Sequence, residues 1–316
     1  MKKKYDVCGV GDIMVDVLAT ISKEELARLN LSQGVNELIN LEKRDYLLNN
    51  LNALHQEFTV GGYLLTSFKA MSSLGLRTHL TAKVGMDEFG MAVQKELSKL
   101  RVETDFKLGF GCTDSRMVLI ASGLMNRHTH KGISKNITFR EIDSVKLKQA
   151  KNLLFYGDLL DTTNRIRLAR FITRIAYESD TKIVFDLHSP TAMTSQKKEV
   201  LQIMERSSVV ISSLDEAYFL FDKNDRLELL KELGSHAPVA ILKTKENYLV
   251  NDHGKFLQVA RMPMHSKYHD EYFAAGFIFG HTQDYGAERS AIIGSFLAGK
   301  PFIDDRILDE LHEAFR

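Results

Sequence analysis

Residues 60–76 read VGGYLLTSFKAMSSLGL. Two adjacent glycines, Gly61 and Gly62, stand just ahead of a helix-like stretch, Leu65–Leu74. Without a Cβ, such a pair lets backbone NH groups approach a ligand at the start of a helix. Taken alone the pair also fits a plain turn, so its meaning rests on the sequence around it. Strand-like apolar segments of roughly 4–8 residues lie on both sides: Tyr5–Val10, Thr78–Val84, Leu153–Tyr156, Lys182–Asp186, Ser208–Ser212 and Val239–Leu242. Amphipathic stretches, Phe89–Leu100, Arg165–Glu178 and Asp225–Leu233, alternate with them. This order predicts one α/β domain over residues 1–316, with a mostly parallel, doubly wound sheet and helices on both faces. Two segments break the alternation, about 17–40 and 115–133, and are expected to supply strands to a small β lid. No internal repeat, low-complexity run or linker interrupts the chain.

Composition narrows the class of partner. Lys plus Arg number 42 against 41 Asp plus Glu, so no positive field invites nucleic acid or an anionic membrane. The two cysteines, Cys8 and Cys112, form no CxxC pair and no His/Cys cluster at metal spacing, which fits a reducing cytoplasm and gives no metal site. The amino terminus, MKKKYDVCGVGDIMVDVLA, has its apolar run broken at Asp12 and Asp16 and does not read as a leader. In a parallel sheet ligands bind at the carboxyl ends of strands. The loops to search are therefore 11–16, 60–66, 84–90, 186–190, 213–216, 243–248 and 264–273.

Three of those loops carry ordered motifs: GVGDIMVDV (9–17), VGG (60–62) and KVGMDEFG (83–90). The arrangement resembles the PfkB (ribokinase) family of carbohydrate and nucleoside kinases, within it the adenosine-kinase-like subgroup. There the corresponding motifs run GNALVDI, GGSAAN and GKVGDDELG, followed by ERT and a lid strand. The resemblance extends over most of the chain. Tyr156–Asp161 (YGDLLD) lies where the family has EGYLL, Asp186–Pro190 (DLHSP) where it has NLSAP or DLSDP, and Phe273–Gly280 matches the FAAGFLYG helix. It implies a ribokinase-like fold, magnesium-ATP as cofactor if the chain is active, and a sugar or nucleoside as substrate. It also implies a substrate side made of Asp12, Asp16, Gly61, Gly62, Thr66 and the lid's Arg127. Asp16 would be the carboxylate that receives substrate hydroxyls, although a cap or loop role is its alternative.

The departures lie mostly on the nucleotide side. The family's N-x-x-E is Ser213-Leu214-Asp215-Glu216, and its T-x-G-x-x-G is Lys243-Thr244-Lys245-Glu246-Asn247-Tyr248. Its D-T-x-G-A-G-D becomes His265-Ser266-Lys267-Tyr268-His269-Asp270-Glu271. In the family the glycines open a helix whose bare NH groups and dipole hold the transferring phosphoryl, and the last Asp takes the hydroxyl proton. Here Tyr268 and Asp270 take the glycine positions, His269 the alanine's, and Glu271 the base's. Adjacent Asp270 and Glu271 are expected to place two negative charges at the helix start, repelling a phosphate. On the substrate side, Tyr63 replaces a Ser and Thr66 an Asn.

The expected function is a PfkB homologue with impaired phosphoryl transfer that keeps a small-molecule cleft, a role that requires no cofactor. The alternative is an active phosphotransferase with a rebuilt anion hole, Asp270 or Glu271 being its base. A third reading is partner binding or a homodimer through the lid. His128 and His130 alternate as on one strand face and are expected at an exposed or lid-facing position. Metal binding would require them to converge with His188 or His269.

Overall fold

The computed structural model describes residues 2–51 and 56–315. Fourteen strands form two sheets among the described residues: β1 Tyr5–Val10, β2 Met14–Ile21, β3 Asn36–Leu38, β4 Gln56–Gly61, β5 Thr78–Gly85, β6 Val102–Gly109, β7 Asp114–Ala121, β8 Leu124–His130, β9 Ala150–Tyr156, β10 Lys182–Asp186, β11 Val209–Ser213, β12 Val239–Lys243, β13 Asn247–Asp252 and β14 Lys255–Ala260. The large sheet runs β14-β13-β12-β11-β10-β9-β1-β5-β6. Every pair from β12 to β6 is parallel, and only the pairs β12–β13 and β13–β14 are antiparallel. The last two form a hairpin turned at His253 and Gly254, with φ of 51° and 89°, the paired left-handed conformation of a tight two-residue turn.

Both faces of the large sheet are covered. One apolar layer packs it against the helices Tyr63–Ser73, His269–Thr282 and Gly286–Ala298. The other packs it against Thr163–Glu178, Lys197–Met204, Leu214–Phe221 and Arg226–His236. Strand order reverses between β1, whose next partner is β5, and β9, which continues toward β10. Crevices at such a reversal receive ligands in open α/β sheets.

The small sheet is ordered β3-β8-β7-β2-β4, and its Arg116, Val118 and Arg127 share a cavity with Tyr63, Tyr268 and Glu271. Five strands build it, so the lid is larger than the two expected segments: β4 lies outside both, and β2 begins before residue 17. Period-2 alternation divides its residues. Val17, Ala19 and Ile21 of β2, with Met117, Leu119 and Ala121 of β7, pack against Leu26, Leu29, Leu47 and Leu51. The opposite face carries Asp16 and Arg116, which are register partners in the parallel β2–β7 pair. Among the described residues no helix is long and apolar enough to cross a membrane.

The helix His269–Thr282 begins where the sequence resemblance would put the phosphate-binding turn, and its close approach to its neighbour depends on glycine. A Cβ on Gly276 would stand 2.8 Å from the Ile293 carbonyl oxygen and 2.9 Å from Gly294 Cα in the neighbouring helix. Backbone cannot yield as a side-chain tip does. Gly276→Ala is therefore expected to lower unfolding free energy by about 1–3 kcal/mol despite a helix-propensity gain of about 1 kcal/mol. Urea denaturation checks this.

Candidate functional site

Neighbouring strands β10, β11 and β12 end at Asp186, Ser213 and Lys243, which brings their last side chains to one edge of the sheet. Lys243 Nζ lies 3.6 Å from Asp186 Oδ1 and 3.6 Å from Asp270 Oδ2, with its side chain only 3% exposed. A buried ammonium is tolerable only beside counter-charge. Burial opposes its charge, but Asp186 and Asp270 hold the lysine above its ordinary range. Asp186 is fully buried, neither of its oxygens has a hydrogen-bond partner, and burial pushes it up to about 7 despite Lys243. For Asp270 the balance is reversed: burial resists ionisation, yet Lys243 and then His269 keep it below the usual carboxylate range.

The helix that follows begins without a glycine turn. Its cap is Tyr268, which has φ −102° and makes no side-chain capping bond. None of Tyr268–Glu271 adopts a positive φ, so the segment is built in backbone conformations open to any residue. Glu271, 6% exposed, is pushed up to about 7 by burial, with the charge of Asp270 adding to the effect. The two carboxyls at the helix start are therefore driven in opposite directions, Asp270 toward its charged form and Glu271 toward its neutral one.

On the lid side, Asp16 receives a two-pronged bond from Arg116, Nε to Oδ1 at 2.9 Å and Nη2 to Oδ2 at 2.8 Å. Both oxygens expected to meet substrate hydroxyls are thus engaged within the protein. Tyr63 interacts with the same guanidinium, and its ring packs on His188 with centroids 3.8 Å apart. His188 has φ 22°, an uncommon conformation for a residue with a Cβ, and burial lowers it to about 4. A cavity of about 180 Å³ lies between lid and helix start, lined in part by Tyr63, Arg116, Arg127, Lys267, Tyr268 and Glu271. That is below the roughly 300–1,000 Å³ of typical small-molecule pockets.

The other expected site residues are dispersed. Asp12 belongs to a buried charge cluster: Lys131 bonds its Oδ2, and Arg165 Nη2 lies 3.0 Å from its Oδ1. Arg165 also meets Asp161 at 2.9 Å, and Lys131 lies 3.7 Å from Asp158. Burial opposes the charge of Asp12, but Arg165 and Lys131 bring it down to about 2. Gly62, at φ 101°, occupies a conformation that a side chain would strain, whereas a Cβ on Gly61 would meet only Asp16 Oδ2 at 3.8 Å. Thr66 is buried in the helix Tyr63–Ser73 and does not line the cavity. Ser213 and Glu216 are joined in a capping box, Ser213 N donating to Glu216 Oε2 at 2.7 Å and Glu216 N to Ser213 Oγ at 3.3 Å. Thr244 Oγ1 closes the β12–β13 turn through Asn247, Lys245 is exposed, and His269 Nε2 lies 3.7 Å from Asp270. Tyr248, which the resemblance places at a glycine position, is fully buried and stacked on Phe273 at 3.9 Å.

His128 and His130 are buried rather than exposed, bonding Glu37 at 2.8 Å and the Ile39 carbonyl at 3.3 Å. Among the described residues no three His, Cys, Asp or Glu converge as a metal site would need. Sequence reading missed Arg116, Lys131 and Arg165. Their main signal was a cation set on or beside otherwise apolar strand and helix faces, since Asp16 and Asp12 lie far away in sequence and only the Arg165–Asp161 pair is local.

A sheet of this order, with its site at the strand ends beneath a β lid, defines a ribokinase-like fold. The chain matches the pfkB family carbohydrate kinases over residues 35–268, and it belongs to that family. The match stops just ahead of Asp270 and Glu271. A probable sugar kinase from Rhizobium etli CFN 42 superposes with a TM-score of 0.87 at 19% identity, covering 100% of this chain and 99% of that one. The adenosine kinase of Sinorhizobium meliloti gives 0.85 at 20%, covering 98% and 99%. A 5-dehydro-2-deoxygluconokinase from Halalkalibacterium halodurans is 23% identical over 198 residues, 58% of this chain and 59% of that protein's length.

Two measurements test the site's electrostatics. Because Glu271 rises from 4.5 to about 7 on folding, the folded state holds a proton that the unfolded state has released across that window. Its contribution to stability therefore falls as pH rises from 4.5 through 7. Glu271→Gln should reduce the stability lost between about pH 5 and about pH 8 by about 1–3 kcal/mol, read by urea melts of both proteins. His188 acts in the opposite direction in both and cancels in the comparison. Arg116→Ala leaves Asp16 buried without its partner and should cost about 3–5 kcal/mol, with Asp16→Asn added to it recovering part of the loss.

Proposed function

We propose that the chain is a PfkB-family sugar or nucleoside kinase homologue in which phosphoryl transfer is impaired and a reduced small-molecule cleft is kept. The observation that carries this reading is the engagement of Asp16 by Arg116 through both carboxylate oxygens. A substrate hydroxyl would meet a carboxylate whose charge is already matched and whose two oxygens each already accept one charge-assisted bond.

The nucleotide side supports the same reading. Magnesium-ATP would be the family's cofactor, and the residues present do not suit it. Glu216 is committed to the capping box, and Lys243 already neutralises the carboxylates at the strand ends. Tyr268 and Asp270 carry side chains where the resemblance implies glycines that leave backbone NH groups uncovered. The residues of this turn serve charge balance and core packing instead of phosphate capture.

A second reading has one observation in its favour. Glu271 at about 7 is poised as a general base at neutral pH, with Lys243, Arg127 and Lys267 as side-chain charges in place of backbone donors. One assay separates the two. Purified protein given magnesium-ATP and a panel of sugars and nucleosides should turn over at least about 10³-fold more slowly than the roughly 1 per second of ordinary kinases. Turnover near 1 per second with any member of the panel would establish the second reading instead.

A further inference from the structure

A larger concavity, about 660 Å³, lies among the helices on the other face of the large sheet from His269–Thr282. Its volume falls within the roughly 300–1,000 Å³ of small-molecule pockets. Arg167, Arg170 and Arg174 line it from the helix Thr163–Glu178, Lys198 from the helix Lys197–Met204, and Arg206 from just beyond that helix. The three arginines recur at helical spacing on the solvent side, while Leu168, Ala169, Ile172 and Ala176 of the same helix enter the core. Phe139 and Phe171 supply an apolar wall, their ring centroids 5.6 Å apart.

Five cations in one hollow repel one another, and acidic neighbours offset only part of that. Arg170 pairs with Glu199 at 2.6 Å, and Arg174 is 4.0 Å from Glu178. Arg167, Lys198 and Arg206 have no acidic partner among the described residues. The excess is local, since the chain as a whole has 42 basic and 41 acidic residues. Guanidinium groups bind tetrahedral oxyanions through paired NH donors, and several of them together suit a ligand with several charges.

We propose that this concavity binds a small molecule carrying several closely spaced phosphate groups. It is independent of the cleft beneath the lid and does not rest on the function proposed for that cleft. The confinement of the excess charge to these five side chains, in a chain of balanced overall charge, favours a small ligand over nucleic acid or a lipid surface.

The test is calorimetric titration of the full chain with inorganic tripolyphosphate in magnesium-free buffer at about 0.15 M salt, with orthophosphate for comparison. Saturable binding at a single site is expected, tighter for tripolyphosphate. The double variant Arg167→Glu/Arg206→Glu should weaken it about tenfold or more, and Arg127→Ala in the cleft should leave it unchanged. Both altered arginines of the double variant are exposed, so folding is not at stake, and an unchanged melting temperature verifies that. Absence of binding, equal binding by the double variant, sensitivity to Arg127→Ala instead, or binding only to phosphatidylserine vesicles would each overturn the proposal.

Discussion

A lysine amine sealed inside a protein must be given counter-charge, and Lys243 receives it from two directions. Asp186 comes from the end of β10 and Asp270 from the first turn of the following helix. The requirement therefore ties the sheet edge to the helix start. It also shapes the ionisation of the neighbourhood, holding Asp270 charged while burial raises Asp186 and Glu271 to about 7. The local arrangement of this end of the molecule follows from that one buried cation.

The same solution recurs across the cleft. Asp16 is matched by Arg116, and Asp12 by Lys131 and Arg165. Each of these carboxylates, which could have faced a ligand, is neutralised by a cation from the chain itself. Such pairs add little net stability compared with apolar packing, yet breaking one leaves a costly orphan. Their combined effect is a cleft whose electrostatic demands are already met, with tyrosines occupying part of the remaining space.

Much of this architecture was legible in the sequence because buried parallel strands read as continuous apolar runs. β1, β5, β9, β10, β11 and β12 were found in that way. β6 and β14 were not, since these edge strands are only partly buried and their residues, VETDFKLG and KFLQVA, mix charge with apolar side chains. In the site, the positions of Asp12, Asp16, Lys243, Asp270 and Glu271 could be read, but their partners could not. Ion pairing depends on which distant strand lies alongside, and no local pattern at Asp16 points to Arg116. The ionisation of Asp270 and Glu271 was not legible for a related reason: sequence shows an acid beside an acid, whereas both are buried and the nearby cation, Lys243, favours charge on Asp270.

The fork between Asp16 and Arg116 spans 100 residues of chain, and this has a consequence during synthesis. At about 5–20 residues per second, roughly 5–20 s separate the emergence of the two side chains. Over that interval β2 has only β4 as a neighbour in its own sheet, and its other edge, with an uncompensated carboxylate, waits for β7. The lid is thus completed after β1, β5 and β6 of the large sheet have been made but before any of β9 to β14.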